Sequence, residues 1–111
     1  MSTYTPDAWV PVLIESTDHG KVYKILAGWY GGYAGADYWK LSSGVESISV
    51  SEDGTMLTMP QASGSTYVVG KNTRMSVLMC EVFASFEEQA KTSGLFTIKI
   101  IEVQELLEAY K

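Results

Sequence analysis

The apolar residues of this chain change their spacing close to residue 74, and this change limits the possible folds. Up to about residue 70 they alternate with polar residues in short segments bounded by turn-forming residues, as strands do. From residue 74 the spacing becomes three and four, which predicts an amphipathic helix over about 74–92. Thr73 or Ser76 can cap its start, and Gly94 can end it. The clearest strand is residues 21–30, with one face made by Tyr23, Ile25, Ala27 and Trp29.

Strands grouped before a helix, followed by a short C-terminal strand and helix, predict an α+β fold. We expect an antiparallel, strongly bent sheet of about five to six strands packed by the helix; strands this short are also compatible with a small barrel. A strand is expected to break near Ser42–Gly44, and Asp53-Gly54 to form a hairpin turn. Pro11 favours an edge position for its strand. Residues 1–111 are predicted to form a single domain.

The composition, with 46% hydrophobic and 19% charged residues, is typical of a folded globular protein. No apolar run approaches the ~20 residues that span a bilayer, so no membrane association is expected. The first ten residues, MSTYTPDAWV, lack a basic segment followed by an apolar one, which predicts no secretory signal. The chain is therefore expected to be cytoplasmic, and its single cysteine, which cannot form an intrachain disulfide, agrees with a reducing compartment.

Catalytic and metal-binding patterns are scarce. The chain has one histidine, His19, in a predicted turn, and one cysteine, Cys80, which we expect to be a small buried hydrophobic residue of the helix. A Cys80–His19 dyad remains an alternative, although any chain with one of each would offer it. Residues 64–73 resemble a phosphate-binding loop but have the wrong glycine spacing, and Asn72 follows the lysine. We therefore predict a protein that is not an enzyme, with no catalytic residue, metal or cofactor.

The residues most suggestive of a binding site lie in the stretch GWYGGYAGADYWK, residues 28–40. Its glycines permit a tight loop and leave neighbouring rings accessible. Strand alternation places Tyr38 and Trp39 on opposite faces, so we expect one inside and one outside. Packing of these rings against each other is the alternative to ligand binding. The candidate binding residues of this stretch are Tyr30, Tyr33, Tyr38 and Lys40.

A second candidate segment precedes the predicted helix. Lys71, Asn72 and Arg74 cluster where helix N–H groups attract anions. Together with the aromatic loop they could hold a nucleotide-like molecule, since stacking rings and a few cations suffice for such a ligand.

The stretch from Tyr23 to Tyr33 and from Asp37 to Val45 resembles small uncharacterised bacteriophage (cyanophage-like) proteins. The shared pattern is Ala-Gly-Trp-x-Gly-Gly followed by Trp-x-Leu-x-Ser-Gly, with a later Gly-Ser-x-Tyr that resembles residues 64–67. The resemblance covers about the middle half of the chain, up to the helix. These proteins have no established activity, so no functional residue carries over. The resemblance implies a phage origin and a small accessory protein that acts on host machinery.

Three functions remain open from the sequence. The first is binding of a host or phage protein through the aromatic and glycine-rich loop, with homo-oligomer formation as a possible feature. The second is binding or sequestering a nucleotide-like small molecule. The third is nucleic-acid binding by a small barrel, which the net charge of -5 disfavours because phosphates would be repelled.

Overall fold

The computed structural model describes residues 2–111, apart from the side chain of Tyr33. This part of the chain contains eight strands and two helices, so the predicted α+β class is confirmed. In chain order the elements are β1 (Thr3–Tyr4), β2 (Ala8–Ser16), β3 (Gly20–Trp29), β4 (Tyr38–Leu41), β5 (Ser49–Val50), β6 (Met56–Pro60), β7 (Thr66–Gly70), α1 (Val77–Ser93), β8 (Phe96–Ile100) and α2 (Val103–Ala109).

The strands form two open four-stranded sheets, in the orders β1-β7-β6-β5 and β4-β3-β2-β8. All neighbours are antiparallel except β1 and β7. The eight strands exceed the expected five to six by β1 and β5, which have only two residues each and are too short to show a pattern in the sequence. The predicted break near Ser42–Gly44 is confirmed and is the point where the chain leaves β4 and crosses to the other sheet. The hairpin turn at Asp53-Gly54, between β5 and β6, is also confirmed.

Two apolar clusters lie on opposite faces of β2 and β3. One cluster packs these strands against β6 and β7 of the other sheet, through buried residues such as Leu13, Ile25, Leu57 and Val69. The second packs their other face against α1, around Met79. The molecule is therefore layered as helix, sheet and sheet. Burial of each such aliphatic side chain contributes roughly 1.5–3 kcal/mol, so both faces of β2 and β3 are major sources of stability.

Helix α1 begins at Val77, three residues after the predicted start. Arg74 is held back in an isolated antiparallel bridge with Trp9, and the Ser76 Oγ accepts the Met79 N–H at 3.2 Å. Gly94 ends the helix in the left-handed conformation, at φ 66. The predicted cap and end are thus confirmed. Within residues 2–111, neither helix combines the length and apolar character needed to cross a bilayer.

The edge position expected from Pro11 is wrong. Strand β2 pairs with β3 along its whole length and with β8 from Val12 onward. Pro11 lies one residue beyond that second ladder and accepts the Ile101 N–H at 3.0 Å. The missing proline N–H therefore falls at the end of the β8 ladder, where an interior strand loses only one hydrogen bond.

Candidate functional site

The glycine-rich loop between β3 and β4 is closed by its own hydrogen bonds. The Gly31 N–H donates to the Asp37 Oδ1 at 3.0 Å, and the Gly35 N–H donates to the Gly32 carbonyl at 2.8 Å. Ala34 adopts φ 60 inside a short 3-10 turn at Tyr33–Gly35. The Tyr33 side chain lies outside the described part of the chain. The loop therefore has a defined backbone path that fixes where its two ends present their rings.

Tyr38 packs on Trp29, with parallel rings whose centroids are 4.9 Å apart. Tyr4 meets Trp29 edge-on at 6.1 Å and lies 5.2 Å from the Tyr67 ring. Despite this packing Tyr38 remains 44% exposed. Tyr38, a candidate binding residue, is therefore partly accessible and at the same time takes part in the ring packing that was the alternative to ligand binding.

Tyr30 lies beside Arg74. The Arg74 guanidinium carbon is 5.6 Å from the centre of the Tyr30 ring, and its Nε and Nη2 donate to the Asp7 carbonyl at 3.3 and 3.2 Å. The Asp7 carboxylate accepts the Tyr30 N–H at 2.9 Å. Tyr30 is 44% exposed, but Arg74 is committed to this local network. The structure thus brings together Tyr30 and Arg74 from the two predicted segments.

Lys71 and Asn72 lie in the exposed turn after β7. The Lys71 N–H donates to the Thr55 carbonyl at 2.9 Å, which holds the turn against the start of β6. Their backbone is therefore anchored to the sheet that contains β6, while the side chains face solvent. Neither residue lines the largest groove near the aromatic loop, described next.

The groove, here called the β4 groove, encloses about 620 Å³ along the free edge of β4. It combines aromatic rings, hydroxyls and lysines. Its described lining residues are Tyr4, Lys24, Trp39, Lys40, Leu41, Ser42, Ser43, Ser63, Ser65, Tyr67 and Phe86.

The β4 groove draws on both faces of strand β4. Trp39 lies on the helix side, where its ring meets Phe86 edge-on at 5.8 Å. Lys40 lies on the side of the other sheet, with its Nζ 5.3 Å from the centre of the Tyr4 ring. Tyr38 and Trp39 therefore do face opposite sides, as predicted. The expectation that one would be inside is wrong, because β4 is an edge strand and Trp39 is still 38% exposed.

The outer edge of β4 presents backbone groups for pairing. Ser42 and Ile25 exchange hydrogen bonds: the Ser42 N–H donates to the Ile25 carbonyl at 2.9 Å, and the Ser42 Oγ accepts the Ile25 N–H at 2.8 Å. Since successive residues of a strand direct their N–H and C=O groups to opposite sides, the groups of Trp39 and Leu41 point away from β3. They face the β4 groove, at the end of the sheet order.

The charge of the β4 groove is opposite to that of the whole chain. Among the described residues that line it, the charged ones are Lys24 and Lys40, whereas the net charge of the chain is -5. Burial, and secondarily the neighbouring Tyr4, raises the pKa of Tyr67 to about 12, so its hydroxyl stays neutral. The groove is thus a local site where a negatively charged group would be attracted.

The structure separates the residues of the hypothetical catalytic dyad. His19 lies in the exposed turn between β2 and β3, next to Ser16 and Thr17, which share a cavity with Ala90 near the end of α1. Cys80 lies ten positions earlier on α1, about 15 Å along the helix axis. Cys80 is exposed, so the prediction of a buried cysteine is wrong: it falls off the apolar stripe that faces the sheet. Residues 2–111 contain no group of three or more His, Cys, Asp or Glu side chains placed to hold a metal.

Sequence reasoning identified only Lys40 among the residues that line the β4 groove. It missed Lys24 and the serines near residues 43 and 63–65, which come from separate segments. The one sequence feature that pointed to this region is its charge: residues 20–75 carry five cations against four anions, whereas the whole chain is acidic. No protein-family model, no curated protein and no solved structure matches this chain.

Proposed function

We propose that this chain is a non-catalytic binding protein that takes up an extended, acidic segment of a partner protein along the free edge of β4. The observation that supports this most directly is that the β4 groove is lined from both faces of one edge strand. A strand added to a sheet edge requires such a site, because its side chains alternate between the two faces.

Backbone pairing supplies the first part of the affinity. Trp39 and Leu41 each offer one N–H and one C=O to an incoming strand, which makes four backbone groups. Each hydrogen bond formed contributes about 0.5–1.5 kcal/mol net. Strand β4 has only four residues, so it offers few backbone hydrogen bonds to a bound strand, and side-chain contacts have to supply the specificity.

Side chains supply the second part. A bound segment would place one residue toward Trp39, Phe86 and Lys24, and the next toward Lys40, Tyr4 and Tyr67. A lysine lies on each side, which favours Asp or Glu at neighbouring positions of the ligand. The aromatic rings favour apolar side chains between them. The resemblance to bacteriophage proteins makes a host protein the expected source of the segment.

A nucleotide-like ligand is the second candidate, because the same groove combines two lysines with four serines and exposed ring surface. We rank it lower since Lys40 already lies over the Tyr4 ring and the two lysines flank the strand from opposite faces. A compact phosphate group would therefore contact them less readily than a ligand that follows the strand.

The test starts with a random peptide library displayed on phage and panned against the protein. Labelled forms of the enriched peptides are then titrated by fluorescence anisotropy with wild type, Lys24→Glu and Lys40→Glu. Lys71→Glu is the matched control, because it makes the same charge change at an exposed position outside the β4 groove. We expect acidic peptides that lose at least tenfold in affinity with the two groove variants and little with the control.

Methylation of single peptide nitrogens checks the mode of binding. In strand addition every second N–H faces β4, so sensitivity to methylation should alternate along the peptide. Uniform sensitivity, or enrichment of peptides indifferent to both groove variants, would contradict the proposal. A nucleotide panel that raises Tm in wild type but not in Lys40→Glu would favour the second candidate instead.

A further inference from the structure

The opposite edge of the same sheet has a different character. Strand β8, with the sequence FTIKI, ends the order β4-β3-β2-β8. Leu95 and Ile100 are 74% and 39% exposed there, and Phe96 is half-buried. Regular, apolar edge strands readily pair with a further strand.

The backbone of β8 fixes which groups are free. The Ile101 N–H donates to the Pro11 carbonyl at 3.0 Å, so odd-numbered residues of this segment point toward β2. The register of Val12 with Ile100 and of Ile14 with Ile98 agrees with this assignment. Phe96, Ile98 and Ile100 therefore direct their N–H and C=O groups to the open side.

We propose that β8 pairs with β8 of a second copy of this chain, antiparallel and centred on Ile98. In this register Phe96 lies opposite Ile100 of the second copy, and Ile98 lies opposite its own equivalent. All three outward-facing residues of each strand then find partners, which gives six hydrogen bonds across the two-fold axis. If the pairing were centred on residue 97 or 99 instead, only four hydrogen bonds would form between the two strands. Two sheets would join into one continuous eight-stranded sheet.

Side chains favour the same register. Phe96 and Ile100 of the second copy form an aromatic and β-branched pair, a favourable cross-strand combination. Lys99 falls opposite Thr97, whereas centring on residue 99 would oppose the two lysines. The register also brings Glu102 of one copy opposite Gly94 of the other, close to Lys91, which lines a cavity with Phe96 and Ile98. Glu87 lines the same cavity as Lys91, so the charge pairing with Glu102 is partly offset, and the hydrogen bonds and the separation of the lysines are what favour this register.

Charge changes at the exposed Thr97 test this arrangement without disturbing the core. Thr97→Lys would place two pairs of lysines across the axis, and Thr97→Glu would place two Glu–Lys pairs there. By sedimentation equilibrium we expect wild type to dimerise, Thr97→Lys to dimerise several-fold more weakly and Thr97→Glu several-fold more tightly. Thr58→Lys, an exposed threonine on β6 of the other sheet, is the control.

A cross-link checks the register directly. In a Cys80→Ser background, Thr97→Cys combined with Lys99→Cys should give a disulfide-linked dimer on mild oxidation, whereas either cysteine alone should not. Wild type that stays monomeric at millimolar concentration would overturn the proposal. So would a dimer whose affinity is the same in Thr97→Lys and Thr97→Glu, since it must use another surface.

Discussion

The rings of Trp29 and Tyr38 lie parallel, with their centroids 4.9 Å apart and their planes 4° apart. The same Tyr38 ring touches Gly32, where an added Cβ would lie 2.6 Å from two ring carbons. The second glycine of the Gly-Gly pair is therefore required by ring packing inside the protein. This relationship orients the start of β4, and thus the β4 groove beyond it.

Substitution of Gly32 by alanine should lower stability, because the Tyr38 ring must leave its stacked position. An aromatic pair of this kind contributes about 0.5–1.5 kcal/mol beyond its buried area, and we expect a loss of similar size in urea unfolding. The near-ultraviolet circular dichroism of the tryptophans should weaken as well. In a Tyr38→Ala background the same Gly32→Ala change should cost clearly less, and the remaining cost should come from the Ala36 carbonyl, 3.0 Å from the added Cβ. An equal cost in both backgrounds would refute this account.

Gly28 performs a comparable task on the helix side of β3. An added Cβ would lie 2.6 Å from the Met79 sulfur, and Met79 is fully buried. Gly28→Ala should therefore destabilise the protein by about 1–3 kcal/mol through overpacking. In a Met79→Ala background, which removes both the sulfur and the Cγ that lies 3.0 Å from the added Cβ, Gly28→Ala should cost much less in denaturant unfolding. A penalty that persists in that background would indicate strain in β3 itself.

Ser42 completes the ladder between β3 and β4 with its side chain. Its buried Oγ accepts the Ile25 N–H at 2.8 Å. Ser42→Ala would leave that buried N–H without a partner, so we expect a loss of about 1–3 kcal/mol and faster hydrogen exchange at Ile25. Ser43→Ala is the control: its Oγ accepts the Ser63 N–H at an exposed position, so a smaller effect is expected. Unchanged exchange at Ile25 would show that another acceptor replaces the hydroxyl.

The elements that the sequence predicted are those with local causes. The alternation of residues 21–30 predicted the face of β3 that packs on the other sheet. Ser76, one of the two cap residues that the sequence offered, and Gly94 bound α1, which begins three residues after the predicted start. These signals need only neighbours within one turn or strand. The edge position predicted from Pro11 was wrong because the sequence around a proline does not show where a neighbouring strand stops pairing. Here the missing N–H of Pro11 falls just past the end of the ladder between β2 and β8.

The β4 groove could not be predicted from any short stretch of the sequence. Its lining residues come from β1, β3, β4, the segment just after β4, the loop before β7, β7 itself and α1, so no spacing in the sequence connects them. The pairing order of the sheets decides that β4 is an edge strand, and this order alone leaves both Tyr38 and Trp39 partly exposed. Tyr30 could be predicted as exposed, yet its contact with Arg74 depends on the bridge between Trp9 and Arg74.

The turn between β5 and β6 should make stability depend on acid pH through Asp53. The hydroxyls of Ser51 and Thr55 donate to its Oδ1 at 2.6 and 2.8 Å, and together with the Thr55 N–H they lower the pKa of Asp53 from 3.8 to about 2. Because the pKa is lower in the folded state, the stabilisation is complete above the unfolded pKa and is lost as the pH falls through the folded one.

The Tm difference between wild type and Asp53→Ala should therefore be constant near neutral pH, shrink between about pH 4 and pH 2, and vanish below that range. Glu52→Ala, which removes the adjacent exposed carboxylate, controls for the change in net charge. Thermal unfolding of the three proteins across this range is the measurement. A wild-type advantage over Asp53→Ala that survives undiminished at the lowest pH would mean that the protonated Asp53 side chain holds the turn as well as the ionised carboxylate does.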